Sequence, residues 1–179
     1  MRVLGAILAG GQSRRFGSDK AEALLGTRSL IDHAAARLGP QVDSLVVCGR
    51  DMAGRLCRAD HPRPGLGPLG GLAAALRVAG ELGFDAVASA GCDTPLLPGD
   101  LVATFVAAGP PCYSDDQPII GLWPTVLADR LAAFLTRDTR HSLYAWAALC
   151  GARGITLPAA IPNINDRADL AAVAARTMA

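Results

Sequence analysis

The chain has 179 residues, 51% hydrophobic and only 4% aromatic, which suits a single domain with a core built mostly from Ala, Leu and Val. Its formal net charge of +1 gives no reason to expect general binding to nucleic acid or to a membrane surface. Five cysteines without Cys-x-x-Cys spacing read as reduced cytosolic thiols rather than a disulfide framework, and three scattered histidines offer no visible zinc site.

The first element is the apolar run Val3–Leu8, of strand length, which stops at the double glycine Gly10-Gly11. The glycines and the arginines behind them cut the run short of a secretory or membrane segment, so a cytoplasmic protein is expected. A small loop follows, Ala9-Gly-Gly-Gln-Ser-Arg-Arg-Phe-Gly-Ser-Asp-Lys20. Glycine lets backbone N–H groups converge on an anion with no Cβ in the way, and Arg14, Arg15 and Lys20 supply the charge that a polyphosphate needs. A nucleoside triphosphate site at the first strand's carboxyl end is the natural reading.

A helix is predicted from Ser29 to Leu38, with Leu30, Ile31, Ala34, Ala35 and Leu38 on one face, Ser29 as its cap and Gly39-Pro40 as its stop. A buried strand follows at Leu45–Cys48. Gly65-Leu-Gly67-Pro-Leu-Gly70 has the glycine spacing of a dinucleotide fingerprint. It follows the proline-broken stretch His61-Pro-Arg-Pro64 rather than a strand, so no NAD site is inferred. Nor does the opening loop end in Gly-Lys-Ser/Thr, as a Walker A loop would. A helix over Leu69–Leu82 comes next, with Pro68 suited to its first turn.

The strand Ala86–Ala90 runs directly into Gly91-Cys92-Asp93-Thr94-Pro95. A carboxylate at that strand end faces the same crevice as the opening loop, and Mg²⁺ is usually held by one or two carboxylates plus substrate phosphates and water. Asp93 is therefore the candidate metal ligand. Beyond it, the pattern predicts a helix that begins after Pro98-Gly99-Asp100 and runs to Ala108, a strand at Pro118–Trp123, and helices at Val126–Leu135, Ser142–Cys150 and Ala168–Arg176. Ile155–Leu157 and Ile161–Ile164 read as strand or loop. Alternating strands and helices imply a three-layer α/β/α sandwich around a mostly parallel sheet.

The order Leu-Ala-Gly-Gly, Ser, Arg-Arg, Gly, Asp-Lys resembles the nucleotidyltransferases that begin Leu-Ala-Gly-Gly-x-x-x-Arg-x-Gly-x-Asp-Lys, and among them the molybdenum cofactor guanylyltransferases. The resemblance implies a Rossmann-like fold of the nucleotide-diphospho-sugar transferase type, with Mg²⁺ as cofactor. GTP and molybdenum-molybdopterin are the implied substrates, and other molybdenum cofactor proteins and acceptor molybdoenzymes the implied partners. It divides the chain into a nucleotide and metal half (about 1–100) and an acceptor half (about 101–179).

Carried onto this sequence, Leu8, Ala9, Gly10, Gly11, Ser13 and Lys20 fall on the nucleotide loop, and Asp93 on the Cys-Asp-x-Pro position. Gly67 and Pro68 match a Gly-Pro-Leu-x-Gly segment beside the base and ribose. Asp60 is the acidic residue seven positions before it. A carboxylate accepts both guanine N1–H and the exocyclic amine, so Asp60 is the candidate guanine reader. Arg15, Lys20 and Asp93 would carry the catalytic charge. Gln117, with Asn163 and Asn165 of the Asn-x-Asn element, would meet the acceptor, with strand alternation aiming both amides the same way.

The chain departs from the pattern at three places. Cys48 stands where some members have Asn, and is set aside from the site. His141-Ser142 stands where an arginine is common, leaving acceptor phosphate to Arg140 or His141. Asp166-Arg167-Ala168 replaces Thr-Pro-Glu, with Asp166 able to cap the last helix. A cytidylyltransferase for the same cofactor, a sugar-phosphate nucleotidyltransferase and a nucleotide-binding regulatory module without turnover remain the alternatives. Sugar enzymes commonly open Leu-Ala-Ala-Gly with Pro-Lys in place of Asp19-Lys20. A mere binder has less need of Asp93.

Overall fold

The computed structural model describes residues 1–10, 16–17, 19–137 and 142–177. Its central sheet has seven strands: β1 (Val3–Leu8), β4 (Ser44–Cys48), β5 (Leu56–Arg58), β6 (Ala86–Gly91), β7 (Cys112–Ser114), β8 (Gln117–Pro124) and β9 (Arg153–Ile155), in the order β5-β4-β1-β6-β8-β7-β9. A small antiparallel pair, β2 (Leu24–Leu25) and β3 (Arg28–Ser29), lies outside it. The pairs among β5, β4, β1 and β6 are parallel, as is β7 with β9. Only β8 runs against both of its neighbours.

β1 is buried along its whole length, and its alternate residues feed two cores. Val3 and Ile7 pack with helices α1 (Leu30–Leu38) and α3 (Leu101–Ala108). Leu4, Ala6 and Leu8 pack with α2 (Pro68–Glu81), α4 (Ala128–Arg137) and α5 (Leu143–Cys150) on the other face. The period of two in a strand places helices on both sides, giving the three-layer sandwich. A third cluster joins Phe16, Leu25, Leu30 and Ile164 to Val173 of α6 (Arg167–Thr177). Deep in the second core the Trp123 indole donates to Ser89 Oγ at 3.0 Å, and Ser89 donates onward to the Ile119 carbonyl at 2.7 Å. Two buried polar groups are thereby satisfied.

Local chemistry sets the helix ends. Ser29 Oγ accepts from the Asp32 N–H and donates to the Asp32 carboxylate at 2.8 Å, and the five predicted face residues of α1 are all buried. Asp166 caps α6 reciprocally with Asp169: each side chain accepts from the other's backbone N–H. The predicted helix at 126–135 resolves into a 3₁₀ turn (Thr125–Leu127) followed by α4. Residues 161–165 form no strand, and the nearby strand lies at 153–155, two residues before the expected 155–157. β5, β7 and the β2–β3 pair go beyond the sequence reading. Among the described residues, no helix is long and apolar enough to cross a membrane.

Candidate active site

Parallel register brings the site together. Leu8 pairs with Cys48 on one side and Gly91 on the other, so β1, β4 and β6 end level and their following loops converge. The converging loops enclose a cleft at these strand ends. Leu8 lines it from β1, Ala9 and Gly10 from just beyond that strand, Asp93 from the turn after β6, and Gly67 and Pro68 from the start of α2, with Lys20 and Asp60 also in the wall. Gly11, Ser13, Arg14, Arg15, Arg140 and His141 lie outside the described residues.

Lys20 Nζ donates to Asp93 Oδ2 at 2.8 Å, both side chains being largely buried (16% and 19% exposed). Two backbone features fix the carboxylate. Thr94, fully buried, donates its N–H and hydroxyl back to the Gly91 carbonyl, closing the turn after β6. The Asp93 carbonyl accepts from the Ile164 N–H at 2.9 Å. Lys20 is held from behind. Ala21 O and Ala23 O accept from Ile31 and Leu30, tying the segment to the first turn of α1.

Asp60 lines the same cleft from the loop between β5 and α2. Its carboxylate accepts from the backbone of Gly65 and Leu66, and burial pushes its pKa above the ordinary value. Yet Asp60 Oδ1 is buried and has no partner among the described residues. It faces bare backbone: a Cβ built on Gly10, Gly49 or Gly71 would come within 3.3–3.8 Å of it. Gly49 has φ +89° and lies against Gly10, where a Cβ would stand 2.5 Å from the Gly10 Cα. Any side chain at 49 would push the two strand ends apart. The glycine-spaced turn Gly65–Gly70 enters α2 from a loop, with Gly67 as its cap at φ +65°. It is no strand-to-helix fingerprint.

Two cysteines line the cleft as well. Burial raises the Cys48 and Cys92 thiols to about 12, so both stay neutral and act as small apolar surface. Cys48, set aside on sequence, thus forms part of the wall. Sequence reasoning also missed Arg50. Its guanidinium forks onto Asp19 with bonds of 3.0 and 2.5 Å and reaches Glu22 at 3.6 Å. The fork holds the Asp19 carboxyl below its ordinary pKa. An isolated arginine two residues past a strand carries no motif that could have revealed it.

Of the acceptor candidates, Gln117, Asn163 and Asn165 do not line this cleft. Gln117, at the start of β8, donates its amide to the Ile161 carbonyl, while its Oε1 is buried without a partner among the described residues. Asn163 and Asn165 are exposed on either side of the buried Ile164. The expected alternation survives in unpaired chain, because Ile164 is pinned by the third hydrophobic cluster and by the Asp93 carbonyl. No group of three or more metal-ligating side chains occurs among the described residues. A lone Asp93 carboxylate suits a hard cation that takes its remaining ligands from phosphates and water.

Residues 5–153 match the family model for the MobA-like NTP transferase domain. The chain belongs to this family. A molybdenum cofactor guanylyltransferase of Cereibacter sphaeroides is 38% identical over 96% of this chain and 95% of its own. One from Rhodobacter capsulatus is 34% identical over 96% and 94%. Among solved structures, molybdopterin-guanine dinucleotide biosynthesis protein A from Archaeoglobus fulgidus superposes with a TM-score of 0.78 at 20% identity, covering 98% of each chain. That likeness carries the fold. Membership of the MobA-like family makes the chain a nucleotidyltransferase.

Proposed function

We propose that the protein transfers GMP from GTP to molybdenum-molybdopterin, releasing pyrophosphate and forming molybdopterin guanine dinucleotide. The Asp60 carboxylate, lining the same cleft as the Lys20–Asp93 pair, carries this reading. An ionised carboxylate there accepts the two N–H groups that guanine alone offers side by side, while the Lys20–Asp93 pair handles phosphate. Full-length relatives carrying the guanylyltransferase name support the same choice.

In this reading a phosphate oxygen of the acceptor attacks the α-phosphorus of GTP in line, and the α–β bridging oxygen leaves with pyrophosphate. The nucleophile arrives ionised, so no side chain needs to be one. Positioning and charge stabilisation make up the catalysis. Gly10, with Gly11 and Ser13, cradles phosphate, and Leu8, Ala9, Gly67 and Pro68 flank the base and ribose. Lys20 and Arg15 neutralise charge developing on the triphosphate. Asp93 holds Mg²⁺, which when bound polarises phosphate oxygens and offsets their charge.

Gln117, Asn163, Asn165 and His141 serve the acceptor. The nucleotide half is then the first hundred residues or so, and the remainder the acceptor half of one domain. A cytoplasmic setting, with hand-over to other cofactor proteins and acceptor molybdoenzymes, belongs to the same reading and agrees with five unpaired cysteines. Competition among GTP, CTP and ATP tests it: Asp60→Ala should relax the preference for guanine, and unchanged selectivity would remove Asp60 from that role.

A further inference from the structure

Among the described residues, the nucleotide cleft is lined by more carboxylates than cations. Three carboxylates line it, Asp19, Asp60 and Asp93, where a triphosphate is to bind. Asp93 is met by Lys20, and Asp60 is the proposed guanine reader. Asp19 stands next to Lys20 with half its side chain exposed, and an unpaired anion there would repel phosphate.

Arg50 meets that anion with a two-pronged contact, and its own side chain is only 21% exposed. Its Nε is buried without a partner among the described residues. The arginine follows Gly49, whose backbone contact with Gly10 fixes where β4 ends relative to the phosphate loop. Arg50 thereby ties the end of β4 to the residue before Lys20.

We propose that Arg50 is a positioning residue for nucleotidyl transfer: its fork clamps Asp19, which sets the adjacent Lys20 against Asp93 and the triphosphate. This rests on the functional reading above. The clamp has two separable parts. Its charge cancels Asp19 and acts on ground-state binding of the triphosphate. Its bidentate geometry aims Lys20 and acts on transition-state charge, which a lysine's point charge cannot reproduce.

The test compares wild type with Arg50→Ala, Arg50→Lys, the double variant Arg50→Ala/Asp19→Asn, and Arg55→Ala, which breaks a surface ion pair with Asp32, as control. Calorimetric Kd for Mg-GTP and kcat of guanylyl transfer are read on protein shown to be folded. Arg50→Ala should weaken GTP binding and lower kcat, each by roughly 10-fold or more. Arg50→Lys should restore Kd and leave kcat low. Adding Asp19→Asn to Arg50→Ala should likewise recover Kd alone. Arg55→Ala should match wild type. A purely structural arginine would lower the melting temperature and the folded fraction, with Kd and kcat per folded molecule unchanged; that result overturns the proposal. So does a double variant that binds GTP no better than Arg50→Ala. Wild type that binds GTP without transferring GMP would contradict the functional reading, and the Kd arm would still decide on the clamp.

Discussion

Lys20 and Asp93 are 73 positions apart in sequence and meet at 2.8 Å, joining the loop after β1 to the turn after β6. The contact exists because both strands are parallel, adjacent and level at their carboxyl ends. It couples the two strongest motifs of the chain into one ion pair within the cleft.

Removing either partner should cost activity heavily. Lys20→Ala is expected to lower kcat/KM for GTP on the order of 10²-fold or more, the usual loss of a donor aimed at transition-state charge. Asp93→Asn should do the same at saturating Mg²⁺, because the amide is a poor cation ligand. Steady-state kinetics check both, and near-normal turnover in either removes that residue from the reaction.

Asp60 should make stability and nucleotide affinity respond oppositely to pH. Burial lifts its carboxyl above the ordinary value, so the folded protein holds that proton more tightly than the unfolded chain. The resulting stabilisation is complete at pH below the ordinary carboxylate value and is lost as pH rises through the lifted one. Relative to wild type, Asp60→Asn should therefore gain stability as pH rises from the ordinary carboxylate value through the lifted one, seen in denaturant midpoints. Wild-type GTP affinity should rise over the same window, because only the ionised carboxylate accepts both guanine N–H groups. A pH-independent difference in midpoint would contradict the account.

The cysteines should be chemically quiet. Cys48 and Cys92, with thiols pushed up to about 12 by burial, should resist alkylation in the native protein at neutral pH and react only on unfolding. Mass spectrometry after iodoacetamide treatment, with and without denaturant, reads this directly.

Asn163 and Asn165 should separate acceptor from nucleotide binding. Alanine at either position is expected to raise KM for the acceptor while leaving the Kd for GTP unchanged, since neither borders the nucleotide cleft. Parallel weakening of GTP binding would place them in the wrong half.

Much of this site was legible before any coordinates. A buried apolar run ending in glycines, and a second ending in Gly-Cys-Asp, mark strand ends by residue type alone, and parallel sheets bring strand ends together. The face of α1 and its Ser29 cap followed from period and polarity. Other features arise from pairing between distant segments. β5 and β7 have three residues each, too short for periodicity, and take strand form from their neighbours β4 and β8. The antiparallel direction of β8 depends on how the chain returns across the sheet. Arg50 finds Asp19 across 31 positions, a contact no local pattern encodes. The orphaned Asp60 oxygen packs against three glycines distant in sequence, Gly10, Gly49 and Gly71.

The most direct test of the central claim is mass-spectrometric product analysis. Purified protein, Mg²⁺ and molybdate-loaded molybdopterin are incubated in parallel with GTP and with CTP. A guanine dinucleotide with stoichiometric pyrophosphate is the predicted result, establishing reaction, acceptor and base together. A cytosine dinucleotide, or no dinucleotide from either nucleotide despite tight GTP binding, would contradict it.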